Sequence, residues 1–209
     1  MINLYYTCFK EPLNENSFLR YKKSLPESIQ LKLGKYVRWQ DAHAGLFGKL
    51  LLKRGLQDFG LSVSLEDLEY TIYGRPYFKC KIDFNISHSG QYVVCAVSDS
   101  NIVGIDIEEI KPIDINDFKN YWQAKELEAI NNSPDQGGKF YCYWTRKEAV
   151  VKADGGGLSI PLREIDVTTN SVLVRNRRWF LQNVSILGYS CHIAVDQEVE
   201  YDLISKVSF

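Results

Sequence analysis

No uncharged apolar run approaches the roughly 18 residues that a membrane-crossing helix needs. No basic segment leads into an apolar stretch near the start, because Lys10 and Glu11 interrupt first. Both absences predict a cytoplasmic protein with no membrane partner. None of the five cysteines (Cys8, Cys80, Cys95, Cys142, Cys191) stands in a CxxC pair, and their number is odd. That argues against a disulfide framework or zinc knuckle and for buried reduced thiols. Charge of one sign is missing too: 25 Lys and Arg against 26 Asp and Glu, with pI about 6.3, leave no basic footprint for nucleic acid. There is no GxxxxGK[ST] phosphate loop and no GxGxxG after a strand. His43, His88 and His192 lack zinc-site spacing. No linker or low-complexity stretch divides the chain.

What is present is an ordinary globular composition, 45% apolar and 24% charged, long enough for one large domain or two small packed ones. Ile2 to Cys8 reads as a strand. Ser24-Leu25-Pro26-Glu27 has the form of a capping box and predicts a helix toward Tyr36. A stronger helix is predicted from Arg38 to Phe59, with Ala42, Leu46 and Leu50 on one stripe and Gly60 as its stop. Leu68, Tyr70 and Ile72 alternate as in a strand, broken at Gly74-Arg75-Pro76. Strands follow at 84–87, 92–98 and 102–108, then helices at 117–131 and 139–154, the second ended by Gly155-Gly156-Gly157. Strand-and-turn patterns fill 171–174, 178–185, 189–196 and 201–207. Tyr92 to Asp99 and Tyr189 to Asp196 are loosely alike, a hint of duplication.

Four segments can carry chemistry. In Gly104-Ile105-Asp106-Ile107-Glu108, residues two apart share a strand face, so both carboxylates point one way, an arrangement that suits magnesium. A sheet with one solvated face gives the same alternation. In Trp144-Thr-Arg-Lys147-Glu148-Ala-Val-Val-Lys152, Trp144, Glu148 and Lys152 lie along one helix face. A surface Glu–Lys pair is the commonest meaning of such spacing, but the tryptophan marks the stripe as partly buried. Glu148 would add a third carboxylate. In Phe84-Asn-Ile-Ser87-His88-Ser89-Gly90, neighbouring Ser and His cannot face each other on a strand. A hydroxyl, an imidazole and turn amides can still converge on phosphate, and an ordinary Ser/Gly turn fits equally well. Gly74-Arg75-Pro76 holds an arginine in a rigid turn, with Lys32, Lys35 and Arg38 upstream near helix ends.

In this order the segments, continued by Gly155-Gly-Gly-Leu-Ser-Ile-Pro-Leu162 and joined by Asp41-Ala42-His43, resemble the 4'-phosphopantetheinyl transferases of the surfactin-synthetase type. Similarity spans about residues 24 to 165. The resemblance implies an α+β pseudo-dimer of two similar α/β lobes, 1–102 and 103–209, with the active site in the cleft between them. It implies magnesium-dependent transfer of the phosphopantetheine arm of coenzyme A to a serine of an apo acyl or peptidyl carrier protein, by a monomer, with release of adenosine 3',5'-bisphosphate. Such carriers serve fatty-acid, polyketide or nonribosomal peptide synthesis. By the same resemblance Asp106, Glu108 and Glu148 hold the metal, Glu148 is the base for the incoming serine, and Lys152 grips the pyrophosphate. Lys32, Ser87 and His88 match contacts of the 3'-phosphate region, and Gly74, Arg75 and Pro76 the adenine end. Arg75 stands where the family more often has lysine, and the two are not interchangeable. Pro112 to Lys125, with Tyr121 and Trp122, occupies the region that meets the carrier. Two other readings of the same residues are a coenzyme A-binding module without activity and a metal-dependent phosphohydrolase.

Overall fold

In the computed structural model, which describes residues 1–199, 201 and 203–209, two sheets are each backed by a long helix. The first sheet runs β10–β1–β5–β4, from β1 (Ile2–Cys8), β4 (Asp83–Ser89), β5 (Tyr92–Ser98) and β10 (Leu203–Lys206). The second runs β6–β9–β8–β7, from β6 (Val103–Glu109), β7 (Ser171–Val174), β8 (Arg177–Asn183) and β9 (Tyr189–Val195). A small ribbon pairs β2 (Glu69–Tyr70) with β3 (Pro76–Tyr77). Helices α1 (Glu15–Lys23), α2 (Glu27–Leu33) and α3 (Trp39–Asp58) follow β1, while α4 (Ala124–Asn131) and α5 (Gln136–Asp154) follow β6.

The expected pseudo-dimer is visible in the topology. In each half a first strand (β1 or β6) leads to a long helix (α3 or α5). A later strand (β5 or β9) then inserts antiparallel between that first strand and its own predecessor (β4 or β8). The two alike segments, Tyr92 to Asp99 and Tyr189 to Asp196, contain these equivalent strands. One element departs from the repeat. Strand β10 pairs parallel with β1, so residues 203–206 join the sheet of the first half.

Apolar alternation produces three cores. Leu46, Leu51 and Phe47 of α3 pack on Phe84, Cys95 and Val97 of the first sheet. Val150 and Ala153 of α5 pack with Trp179, Leu181 and Ala194 of the second. Between the sheets, Ile2, Leu4, Val94 and Ala96 meet Val103, Ile105, Ile107 and Ile193, so the layers run helix, sheet, sheet, helix. Gly104 lets α5 press onto β6: a Cβ there would lie 2.2 Å from the Ala149 carbonyl oxygen.

The sheets meet at a corner where edge strand β4 runs beside edge strand β6. Edge amides need partners, and here side chains supply them. The amides of Val103, Ile105, Ile107 and Glu109 donate to Asp83 Oδ2, Asn85 Oδ1, Ser87 Oγ and Ser89 Oγ at 2.8, 3.1, 3.4 and 3.1 Å.

Two local expectations are corrected. Ser24 caps no helix start; it ends α1, which the pattern did not reveal, and its hydroxyl donates to the Tyr21 carbonyl at 2.8 Å. The helix predicted over 117–131 is split into a 3-10 segment, Ile115–Tyr121, and α4, because the chain turns to bury Trp122.

Candidate active site

Three elements from both halves bring the predicted residues together. Strand β6 contributes Asp106 and Glu108, β4 contributes Ser87 and His88, and α5 contributes Trp144, Glu148 and Lys152. With Ile86 they line a cavity of about 390 Å³. The i, i+4, i+8 stripe of α5 faces the same space as the i, i+2 pair of β6, which is why neither motif is merely a solvated face. A second cavity of about 440 Å³ shares Ile86, Glu148 and Lys152 with the first, and Gly74, Arg75 and Pro76 form part of its wall.

Lys152 organises the centre. Its Nζ donates to Asp106 Oδ1 at 2.5 Å and to Ser87 Oγ at 2.9 Å, and the Ser87 hydroxyl donates to the same Asp106 oxygen at 2.9 Å. Asp106 Oδ2 is buried and has no hydrogen-bond partner among the described residues. Glu108 Oε2 accepts from Ser89 Oγ at 2.7 Å. Burial, reinforced by the neighbouring Asp106 charge, pushes both Glu108 and Glu148 above the usual carboxylate range. His88 is pushed below the usual imidazole value by desolvation and then by the Lys152 charge.

Among the described residues, no three acidic, His or Cys side chains are gathered closely enough to hold a metal ion as they stand. The donor set nevertheless fits one. An orphaned carboxylate oxygen and two carboxylates that resist ionisation beside a third are the setting a hard cation relieves, and magnesium takes one or two protein carboxylates with water and phosphate oxygens.

Other predicted residues lie further out. Lys32 is exposed and lines neither cavity; its Nζ donates to Tyr70 OH at 3.1 Å and sits 4.3 Å from that ring's centroid. Tyr70 is the register partner of Pro76, so Lys32 stands against the base of the Gly74 turn. Besides Lys152, the cations Lys10, Arg38 and Lys111 share a further cavity with His88. Tyr121 is exposed and borders the larger cavity, whereas Trp122 is a core residue. Arg75 is bonded to protein acceptors at the corner of the two sheets.

Several residues of the centre were not foreseen. Ser89 holds Glu108 as Ser87 holds Asp106, and the polar alternation from Asp83 to Ser89 was the available signal. Behind the site Thr145 Oγ1 lies 2.8 Å from His192 Nδ1 and 3.0 Å from Ser190 Oγ, a buried cluster no local pattern announces.

Comparison with known proteins gives two family matches: the 4'-phosphopantetheinyl transferase superfamily over residues 102–199, and the 4'-phosphopantetheinyl transferase N-terminal family over residues 11–100. A 4'-phosphopantetheinyl transferase of Bacillus subtilis is 34% identical over 176 residues, covering 79% of this chain and 76% of the relative. The transferase gsp of Aneurinibacillus migulanus is 31% identical, covering 81% and 73%. The transferase Sfp of Bacillus subtilis strain 168 is 31% identical, covering 79% and 76%.

Proposed function

Since the chain belongs to the 4'-phosphopantetheinyl transferases, enzymes that modify carrier proteins, we propose that it uses magnesium to move the phosphopantetheine arm of coenzyme A to a carrier serine. The observation that carries this reading is the convergence of Asp106, Glu108, Glu148 and Lys152 on one cavity, with Asp106 Oδ2 left unpartnered. We place the enzyme in the cytoplasm, in keeping with the free thiols of the described residues, and read it as a monomer because both halves of the site come from one chain.

Asp106, Glu108 and Glu148 would hold the magnesium, which supplies neutralisation of the pyrophosphate charge when bound. The residues of the chain do the rest. Lys152 exchanges its bond to Asp106 for a pyrophosphate oxygen. Ser87 and His88 receive the 3'-phosphate region, and the Gly74, Arg75 and Pro76 wall receives the adenine, with Lys32 against the base of that turn and outside both cavities. Phosphoryl transfer depends on such positioning more than on covalent help. The carrier serine hydroxyl attacks the β-phosphorus, its proton passes to Glu148 directly or through a water, and the bond to adenosine 3',5'-bisphosphate breaks. A carboxylate raised by burial is better matched to that proton than an exposed one. Tyr121 borders this cavity from the segment through which the carrier approaches.

Intact-protein mass spectrometry of an apo carrier with coenzyme A and magnesium tests the reading. One added arm is expected, absent without magnesium and slowed at least about 100-fold by Glu148→Ala, with coenzyme A binding retained. Transfer at the wild-type rate by Glu148→Ala would remove its role as base.

A further inference from the structure

Arg75 sits in the turn between β2 and β3 of the first half, yet its guanidinium is bonded largely to the second. Nε donates to the backbone carbonyl of Lys152 at 2.9 Å. Nη2 donates to Asp83 Oδ2 at 2.7 Å and to the Val103 carbonyl at 3.1 Å. Asp83 Oδ2 also accepts the Val103 amide at 2.8 Å, so the arginine closes the end of the β4–β6 corner. The pair is largely enclosed, with Arg75 and Asp83 side chains 15% and 14% exposed.

Two features show that the fit is built. Gly155, the left-handed cap of α5 with φ 77°, clears the path of the arginine stem, since a Cβ there would lie 2.7 Å from Arg75 Cδ. The Lys152 carbonyl belongs to the last turn of α5, where carbonyls lack intrahelical donors and the helix dipole favours a cation. The bonds leave from two separate nitrogens, Nε toward the end of α5 and Nη2 toward Asp83 and Val103, a rigid planar fork that the one nitrogen of an ammonium does not reproduce.

We propose that Arg75 is a positioning residue for Lys152. By pinning the Lys152 carbonyl to the corner of the two sheets, it fixes the point from which the lysine ammonium reaches Asp106 and the cavity. The inference rests on the reading above, in which Lys152 grips the pyrophosphate. It assigns the guanidinium to the protein and leaves the turn backbone to face the ligand.

A double-mutant cycle on the full chain tests it, using kcat/KM for carrier modification and calorimetric binding of coenzyme A. Lys152→Ala keeps the carbonyl that Arg75 holds but removes the ammonium being positioned. Arg75→Ala and Lys152→Ala are each expected to lower kcat/KM about tenfold or more, and the double variant to fall within about threefold of Lys152→Ala alone. Coenzyme A affinity in the Lys152→Ala background is expected to be the same with or without Arg75. Asp83→Asn, which alters the anchor without lining the cavity, should show the same loss in the wild-type background and the same silence in the Lys152→Ala one. Losses that multiply, or weaker coenzyme A binding when Arg75 is removed from Lys152→Ala, would make Arg75 a ligand contact and overturn the proposal. A fall in Tm with unchanged kcat/KM in the wild-type background would reduce it to a structural clamp and overturn it as well. Full activity of Lys152→Ala would overturn the reading of Lys152 itself, and with it this inference.

Discussion

Lys147 and Lys152 stand five residues apart on α5 in opposite settings. The Lys147 side chain is fully buried against Glu126, 2.8 Å away, and donates to the carbonyls of Leu162 and Ile165 at 2.9 and 2.5 Å. Glu126 accepts the Gln123 and Val167 amides, so both charges are satisfied and the loop after α5 is tied to α4. Lys152 keeps a 29% exposed side chain and lines the cavity. The sequence marked both within one motif, but a lysine beside a glutamate reads as exposed, and burial of Lys147 depends on residues fifteen or more positions away. His192 is another residue whose setting only the fold reveals. Burial, then the Arg146 charge, pushes its pKa down to about 3. Between that value and the ordinary 6.5 the unfolded chain takes up a proton that the folded chain does not, so stability is lost as pH falls through this window. Urea unfolding of the wild type is expected to lose roughly 3 kcal/mol between pH 7 and pH 4 from this group, and His192→Gln to lose correspondingly less. Parallel profiles for the two proteins would show that the ring is not the source.

Strand β4 was legible as a strand because Phe84 and Ile86 alternate with polar residues. What its polar residues address was not, since the edge of β6 lies beyond any local pattern. Each of the four takes one β6 amide, and two of them also hold a carboxylate of the site. Structural and chemical duties thus fall on the same hydroxyls. Ser89→Ala is therefore expected to weaken magnesium binding about tenfold in calorimetry with coenzyme A present, with Ser89→Thr close to wild type. Unaltered magnesium affinity in Ser89→Ala would confine Ser89 to the sheet corner. The misread Ser24 has a similar lesson. A capping pattern states what a serine can do, and the preceding helix α1 claims it first.

At the scale of the molecule, the cleft exists because edge strands from the two equivalent halves abut. The likeness of β5 and β9 gave a trace of this duplication, and the ordered motifs gave the family. The parallel pairing of β10 with β1 left no trace, because its partner lies at the other end of the chain. Beyond β10 the Val207 amide donates to the Tyr6 carbonyl at 2.8 Å, and the Phe209 ring stacks on Phe47 with centroids 5.2 Å apart. Ending the chain after Val199 should lower stability by about 3 kcal/mol or more, read as a lower urea midpoint; an unchanged midpoint would mean that this strand carries no load. The pairing of Asn3 with Leu203 also has a meaning in time. A ribosome adding about 5–20 residues each second makes β1 wait about 10–40 s for that neighbour. Until residues 203–206 emerge, the nascent first half presents an open strand edge, a site where the newborn chain can pair wrongly.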